Sequence, residues 1–364
     1  MTGPLTAARL PRDLHPVAWW VWALGLAAAA TFTTNPLVLL TIVAVATLVV
    51  LARRSEQPWA DAFRLYVVVA VVIVVMRVLF RVLLGGGLGG GHVLLDLPEV
   101  PLPDWVLGLH LLGPVTRESV LAGFYDGLRL GTIVICVGAA NALANPKRLL
   151  RSVPAALHEI GTALVVAVTV LPQLVDSARR VRAAQSLRAG DTRRTGRLRR
   201  YLVPVLEDAL ERSLRLAAGM DTRGYGRSAG APPAERRLTG ALMLLGLCGV
   251  AVGVYAGLDH SAPRLLATPM LVLGVAAAVA GLVLAGRRVG RTRYRPDPWR
   301  WPELVVMLSG LGTALVAWWV SGHQLVVAYP DLATFPQVTV VALLGSVLGL
   351  VAAAAAPEPR VVSS

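Results

Sequence analysis

The chain is short of charge and of reactive side chains. Only 15% of its 364 residues are Asp, Glu, Lys or Arg against 55% hydrophobic ones, and mean hydropathy is +0.65. That excludes a water-soluble globular domain, in which about a quarter of residues are charged. Cysteine is nearly missing: Cys136 and Cys248 lie far apart within apolar runs. They exclude a disulfide framework and read as small buried side chains. The six histidines, His15, His92, His110, His158, His260 and His323, include no pair at metal-ligand spacing, so no metal site is expected in the chain. The glycine-rich LLGGGLGGGH (83–92) lacks the Gly-Lys-Ser/Thr of a phosphate loop and reads as a linker on the outer side of a membrane. No cluster of Asp, His or Ser gathers on one membrane face, as a lipid-modifying enzyme embedded in the bilayer would need.

What the chain does have is apolar length. Eight runs are long enough to span a bilayer core as helices, about 17–33, 36–52, 63–84, 118–141, 238–257, 265–286, 303–321 and 337–356. The first follows Arg9 and Arg12, but it is Trp-rich and a second run follows the TNP turn, so it reads as half of a helical hairpin and not as a cleaved signal. The expected fold is an all-α polytopic membrane protein. Its segments are an N-terminal membrane domain (1–144), a cytoplasmic coupling domain (145–237) and a C-terminal membrane domain (238–364).

The cations fix an expected orientation. Of 35 basic residues against 21 acidic, all but Lys147 are arginine. They alternate with the spans: Arg9 and Arg12 precede the first, Arg53 and Arg54 follow the second, Lys147 follows the fourth, six arginines from Arg287 to Arg300 follow the sixth, and Arg360 follows the eighth. The intervening connections hold one cation in all, Arg264. The positive-inside rule places both termini and the middle region in the cytoplasm of a multi-pass plasma-membrane protein. The 15-residue apolar stretch 161–175, which contains Pro172, would break this parity if it spanned, and is expected to lie as a helix against the membrane or the bundle.

Residues 147–237 carry 18 of the basic residues and eight of the acidic ones. Leu174, Ala178, Val181, Ala184 and Leu187 form the stripe of one amphipathic helix, which closes on Arg188-Ala189-Gly190. A second helix is expected from about Tyr201, with Pro204 in its first turn. Leu202, Val205, Ala209, Leu210, the small Ser213, Leu216, Ala217 and Met220 make its stripe, Asp208–Arg212 and Glu211–Arg215 pair four apart, and it closes on Arg223-Gly224. An arginine at a helix C-terminus complements the helix dipole, and glycine is the usual terminator. A charged tip is equally a plug for a partner's groove, where its guanidinium can pair with a carboxylate. Composition does not choose between the two.

The order of segments adds a resemblance. AAQSLRAG (183–190), LEDALERSLRLAAGMDTRGYG (206–226) and YDGLRLGTIVICVGAANALANPKRLL (125–150) are similar to stretches of the transmembrane coupling subunit (T component, EcfT/CbiQ family) of energy-coupling factor (ECF) transporters. The resemblance covers about 1–257. It implies a scaffold without a catalytic centre or cofactor of its own. Two ABC-type ATPases, which bind the ATP and Mg, would dock on the coupling helices, and the same subunit would grip a small substrate-binding S component for vitamin or metal-ion uptake. Arg188 and Arg223 would be the docking residues, with Ala189, Gly190, Gly224 and Tyr225 shaping the tips. The stripe Leu206, Leu210, Leu214, Ala217 and Met220 would face the membrane helices or the S component. A conventional ABC permease would carry one coupling motif, and here there are two. Nothing points to nucleic acid.

Two charged features stand apart. Arg77 and Arg81 share a face near the outer end of the third span, where they are expected to snorkel. Asp126 and Arg129 in the fourth form an intramembrane ionisable pair, which reads equally as a functional candidate or as two groups spaced to neutralise one another.

Overall fold

A computed structural model describes residues 12–54, 62–83, 92–96, 98, 100–101, 110–111, 113–152, 157–187, 194–224, 232–259, 263–287 and 299–358. The order is α1 Pro16–Thr31, α2 Pro36–Arg53, α3 Ala62–Leu83, strands β1 Val93–Asp96, β2 Val100–Pro101, β3 His110–Leu111 and β4 Pro114–Thr116, then α4 Arg117–Leu143, α5 Pro146–Arg151, α6 His158–Leu187, α7 Arg194–Thr222, α8 Pro233–Leu258, α9 Arg264–Arg287, α10 Trp301–His323, α11 Leu325–Ala328, α12 Val340–Val347, a 3₁₀ turn Leu348–Leu350 and α13 Val351–Ala355. The protein is a polytopic all-α membrane protein. Among the described residues, seven helices are long and apolar enough to cross a bilayer, and two shorter apolar ones, Pro16–Thr31 and Val340–Ala355, accompany them. The glycine-rich stretch expected as a linker falls mostly outside the described residues (84–91), and small strands follow it: β1 pairs antiparallel with β4, and β2 with β3.

Contacts divide the chain into two compact units, one of residues 1–149 with 296–364 and one of 150–295. In the first, the hairpin of α1 and α2 is set by local chemistry. Asn35 caps α2 by accepting from the Leu37 N–H at 3.1 Å, with Pro36 following where its missing N–H is harmless. Trp22, Leu26, Leu39, Ile42 and Val49 are wholly buried. The C-terminal helices complete this core. The Trp22 indole donates to the Gly349 carbonyl at 3.0 Å, and the Asn35 amide donates to the carbonyls of Val327 and Gln337, each at 2.8 Å. Arg12 grips Glu303 with both terminal nitrogens, at 2.6 and 2.9 Å, and Glu303 is fully buried. A Cβ on Gly310 would sit 2.5 Å from the Trp22 Cα, so α10 meets α1 backbone to backbone. Residues 299–358 are part of the packing of the N-terminal helices.

α3 and α4 pack in the same unit, with Gly127 and Gly131 of α4 lying against Val74 and Ala70 of α3. Across α3 only Phe63 and Ala70 are buried. Its other apolar side chains make a face suited to lipid tails. Arg77 is exposed on α3 and Arg81 half-buried. Arg129 does not take Asp126 as its partner: it donates to the Thr31 carbonyl at the end of α1. The last carbonyls of a helix have no intrahelical donor, and a cation satisfies one while complementing the dipole, which outcompetes an i,i+3 contact to Asp126.

The second unit holds α6, α7 and the hairpin of α8 and α9. That hairpin is close-packed through glycine. Side chains at Gly246, Gly249 and Gly253 would meet α9 at 2.6 to 2.8 Å, at Ala278, Gly274 and Leu271. Small residues at such spacing let membrane helices approach closely and gain dispersion contact.

Two expectations about this unit are corrected. The stretch 161–175 is not a short segment. It lies inside the 30-residue α6, with Pro172 in the interior, and Ile160–Ala184 meets the length and apolar composition of a span. The second amphipathic helix does not begin near Tyr201 but at Arg194, so Pro204 is interior. In both, the proline removes a single N–H bond from a helix of about thirty residues, and the remaining turns carry the helix through.

Candidate coupling site

The expected tips fall at the ends of α6 and α7. Arg188, Ala189, Gly190 and Tyr225 lie outside the described residues. Arg223 and Gly224 are described, and their geometry is that of a closed helix end. The Arg223 N–H donates to the Met220 carbonyl at 3.1 Å and the Gly224 N–H to the Asp221 carbonyl at 2.9 Å, tightening the final turn. Gly224 has φ +74°, with open space around a would-be Cβ. Any other residue would be strained there by about 1–2 kcal/mol, which explains the glycine after the arginine. The Arg223 side chain is exposed, and among the described residues it has no ion-pair partner.

The stripe on α7 is exposed as well. Leu206, Leu210 and Leu214 are each more than 60% exposed, Ala217 is exposed and Met220 half-buried. α7 turns a different side toward α6: Val205, Asp208, Ala209 and Arg212 are half-buried, and the bonds to α6 are polar. The Ser177 hydroxyl of α6 donates a short bond to Asp208. Arg212 donates to the same carboxylate from Nε at 3.1 Å, its Nη2 lies 3.0 Å away, and Arg180 of α6 approaches to 3.5 Å. The Ser177 bond foremost, then Arg212 and Arg180, outweigh partial burial and hold the Asp208 carboxyl below the usual carboxylate range. The Glu211–Arg215 pair forms on the exposed side as the spacing implies. Sequence reading found the Asp208–Arg212 pair but not its link to Ser177, because a serine inside an apolar stripe gives no sign of the helix it will touch.

Among the described residues, no three of His, Cys, Asp and Glu gather as for a metal ion. The arrangement offers two long helices, a cationic end on α7 and an uncovered apolar face, which is the chemistry of a contact surface. A family model described as cobalt transport protein, CbiQ, matches residues 7–232. No curated protein matches the chain.

Proposed function

Because the chain belongs to the CbiQ cobalt transport protein family, we propose that it is the non-catalytic membrane scaffold of an ECF-type importer. In this reading two cytoplasmic ABC-type ATPases, carrying ATP and Mg, seat the tips at Arg188 and Arg223. The apolar stripe Leu206–Leu214 meets the substrate-binding S component or the membrane side, and closure of the ATPases drives it. Vitamin or metal-ion uptake is the resulting activity. Both termini and α6–α7 lie in the cytoplasm, since placing α6 across the bilayer would put the arginine-rich stretch 188–237 on the outer side, against the positive-inside rule.

The observation that carries the reading is the exposed Arg223 on a glycine-terminated helix end without an ion-pair partner among the described residues. A buried charge supplied to a partner's groove costs about 2–5 kcal/mol to remove, which is roughly 30-fold or more in affinity. The test is capture of Walker-motif ATPases by the tagged chain from detergent-solubilised membranes, together with uptake in cells. Arg223→Ala and Arg223→Glu are expected to weaken capture by that factor and abolish uptake, with Arg188→Ala milder and the double change worse. Normal capture and normal uptake in the double variant contradict the reading.

A further inference from the structure

α6 and α7 cross with little apolar burial. Among the described residues, the buried ones along α6 are Gly161 and Ser177, and along α7 none is fully buried. Two long helices held by a broad apolar seam resist rotation about their contact. Among the described residues, the side-chain bonds between the two helices gather in one polar cluster: the Ser177 hydroxyl, the Asp208 carboxylate, and the guanidinium groups of Arg180 and Arg212. Ser177 is only 2% exposed on a helix whose described neighbours are largely open. Its burial is not explained by an apolar core. Its hydroxyl instead bonds the Asp208 carboxylate of α7.

The positions of these residues matter. Ser177 is ten residues from the end of α6 at Leu187, and Asp208 is fourteen from the end of α7 at Thr222. At about 1.5 Å per residue the arms from cluster to tip are roughly 15 and 21 Å long. Asp208 takes donors from both helices at once: Ser177 and Arg180 from α6, Arg212 from α7. Its two oxygens therefore tie together elements that otherwise share little surface.

We propose that this cluster is a pin joint that fixes the angle between α6 and α7 and hence the spacing of the two tips, with Asp208 as its positioning residue. A partner with two receptor grooves at fixed separation requires tips at fixed separation. Freed to the roughly 15–20° scatter that packed helices show, an arm of about 21 Å swings its end through about 6 Å. That displacement unseats a bidentate ion pair, whose tolerance is a few tenths of an ångström. The purpose of the pin rests on the coupling reading; its existence does not.

The experiment is pulsed electron–electron spin-resonance distance measurement on the full chain in detergent. Spin labels go on Leu187→Cys and Thr222→Cys, both exposed positions, with Cys136→Ala and Cys248→Ala removing the native thiols. The pinned protein is expected to give one narrow distance population. Asp208→Ala is expected to broaden it by about 6 Å while the protein stays monodisperse. Exchanging the partners, Ser177→Asp with Asp208→Ser, keeps one hydroxyl and one carboxylate at the crossing, with Arg180 three residues along, and is expected to narrow the distribution again. A distribution unchanged by Asp208→Ala overturns the pin, and so does an exchanged pair as broad as Asp208→Ala. ATPase capture separates the two claims. If the Arg188→Ala/Arg223→Ala double variant captures and transports normally, the coupling reading falls while the distances still decide the pin.

Discussion

Arg223 and Gly224 show how much one position can carry. The glycine is needed because the chain turns left-handed at that point, just after a final turn closed by bonds to the Met220 and Asp221 carbonyls, and the Arg223 side chain is exposed there. Asp208 gives a pH prediction of definite sign. Its carboxyl is held below the usual range by Ser177, Arg212 and Arg180, so the contact is fully present above about pH 4 and is lost as pH falls through the lowered folded value. Tip-to-tip distances should be unchanged between pH 8 and 5 and should broaden only in stronger acid. Broadening near neutrality would mean that another group sets the angle. Sequence spacing made the Asp208–Arg212 and Glu211–Arg215 pairs legible because both partners sit on one helix. It misplaced Arg129, because the Thr31 carbonyl is 98 residues away and nothing local marks it.

At the scale of helices, apolar length was the readable quantity, and each of the eight expected spans coincides with an apolar helix. The ends and the prolines were less readable. Pro172 and Pro204 look like boundaries in sequence, yet both are interior, since one missing N–H bond does not end a helix whose other turns are intact. Glycines in α8 look alike until their surroundings are known. A Cβ at Gly253 would meet the Leu271 backbone at 2.6 Å, whereas one at Gly257 meets nothing within 4 Å. Gly253→Ala should therefore destabilise the α8–α9 hairpin by about 1–3 kcal/mol through overpacking. Gly257→Ala should be neutral or gain up to about 1 kcal/mol from helix propensity. Thermal unfolding in detergent reads both. Equal effects would show that the hairpin is looser than its glycine contacts imply.

The whole molecule is not organised in chain order. The family match ends at residue 232, yet 299–358 supplies the carbonyls that satisfy Trp22 and Asn35 and the carboxylate that pairs with Arg12. The last helices complete the N-terminal core, a role invisible in sequence because each partner lies about 300 residues away. Glu303→Ala leaves Arg12 without its partner at a buried site and should cost about 3–5 kcal/mol, read as a lowered thermal midpoint. Replacing both by apolar residues, Arg12→Met with Glu303→Leu, should recover most of the loss. A full loss persisting in the double variant would show that the pair does more than neutralise itself.

The central claim is that the end of α7 touches a nucleotide-hydrolysing partner. Photo-crosslinking from position 223 in intact membranes tests it most directly, with position 79 on the lipid-suited face of α3 as control. The account predicts adducts to a Walker-motif ATPase from 223 and none from 79. Adducts from 223 only to lipid, or to the chain itself, would contradict it.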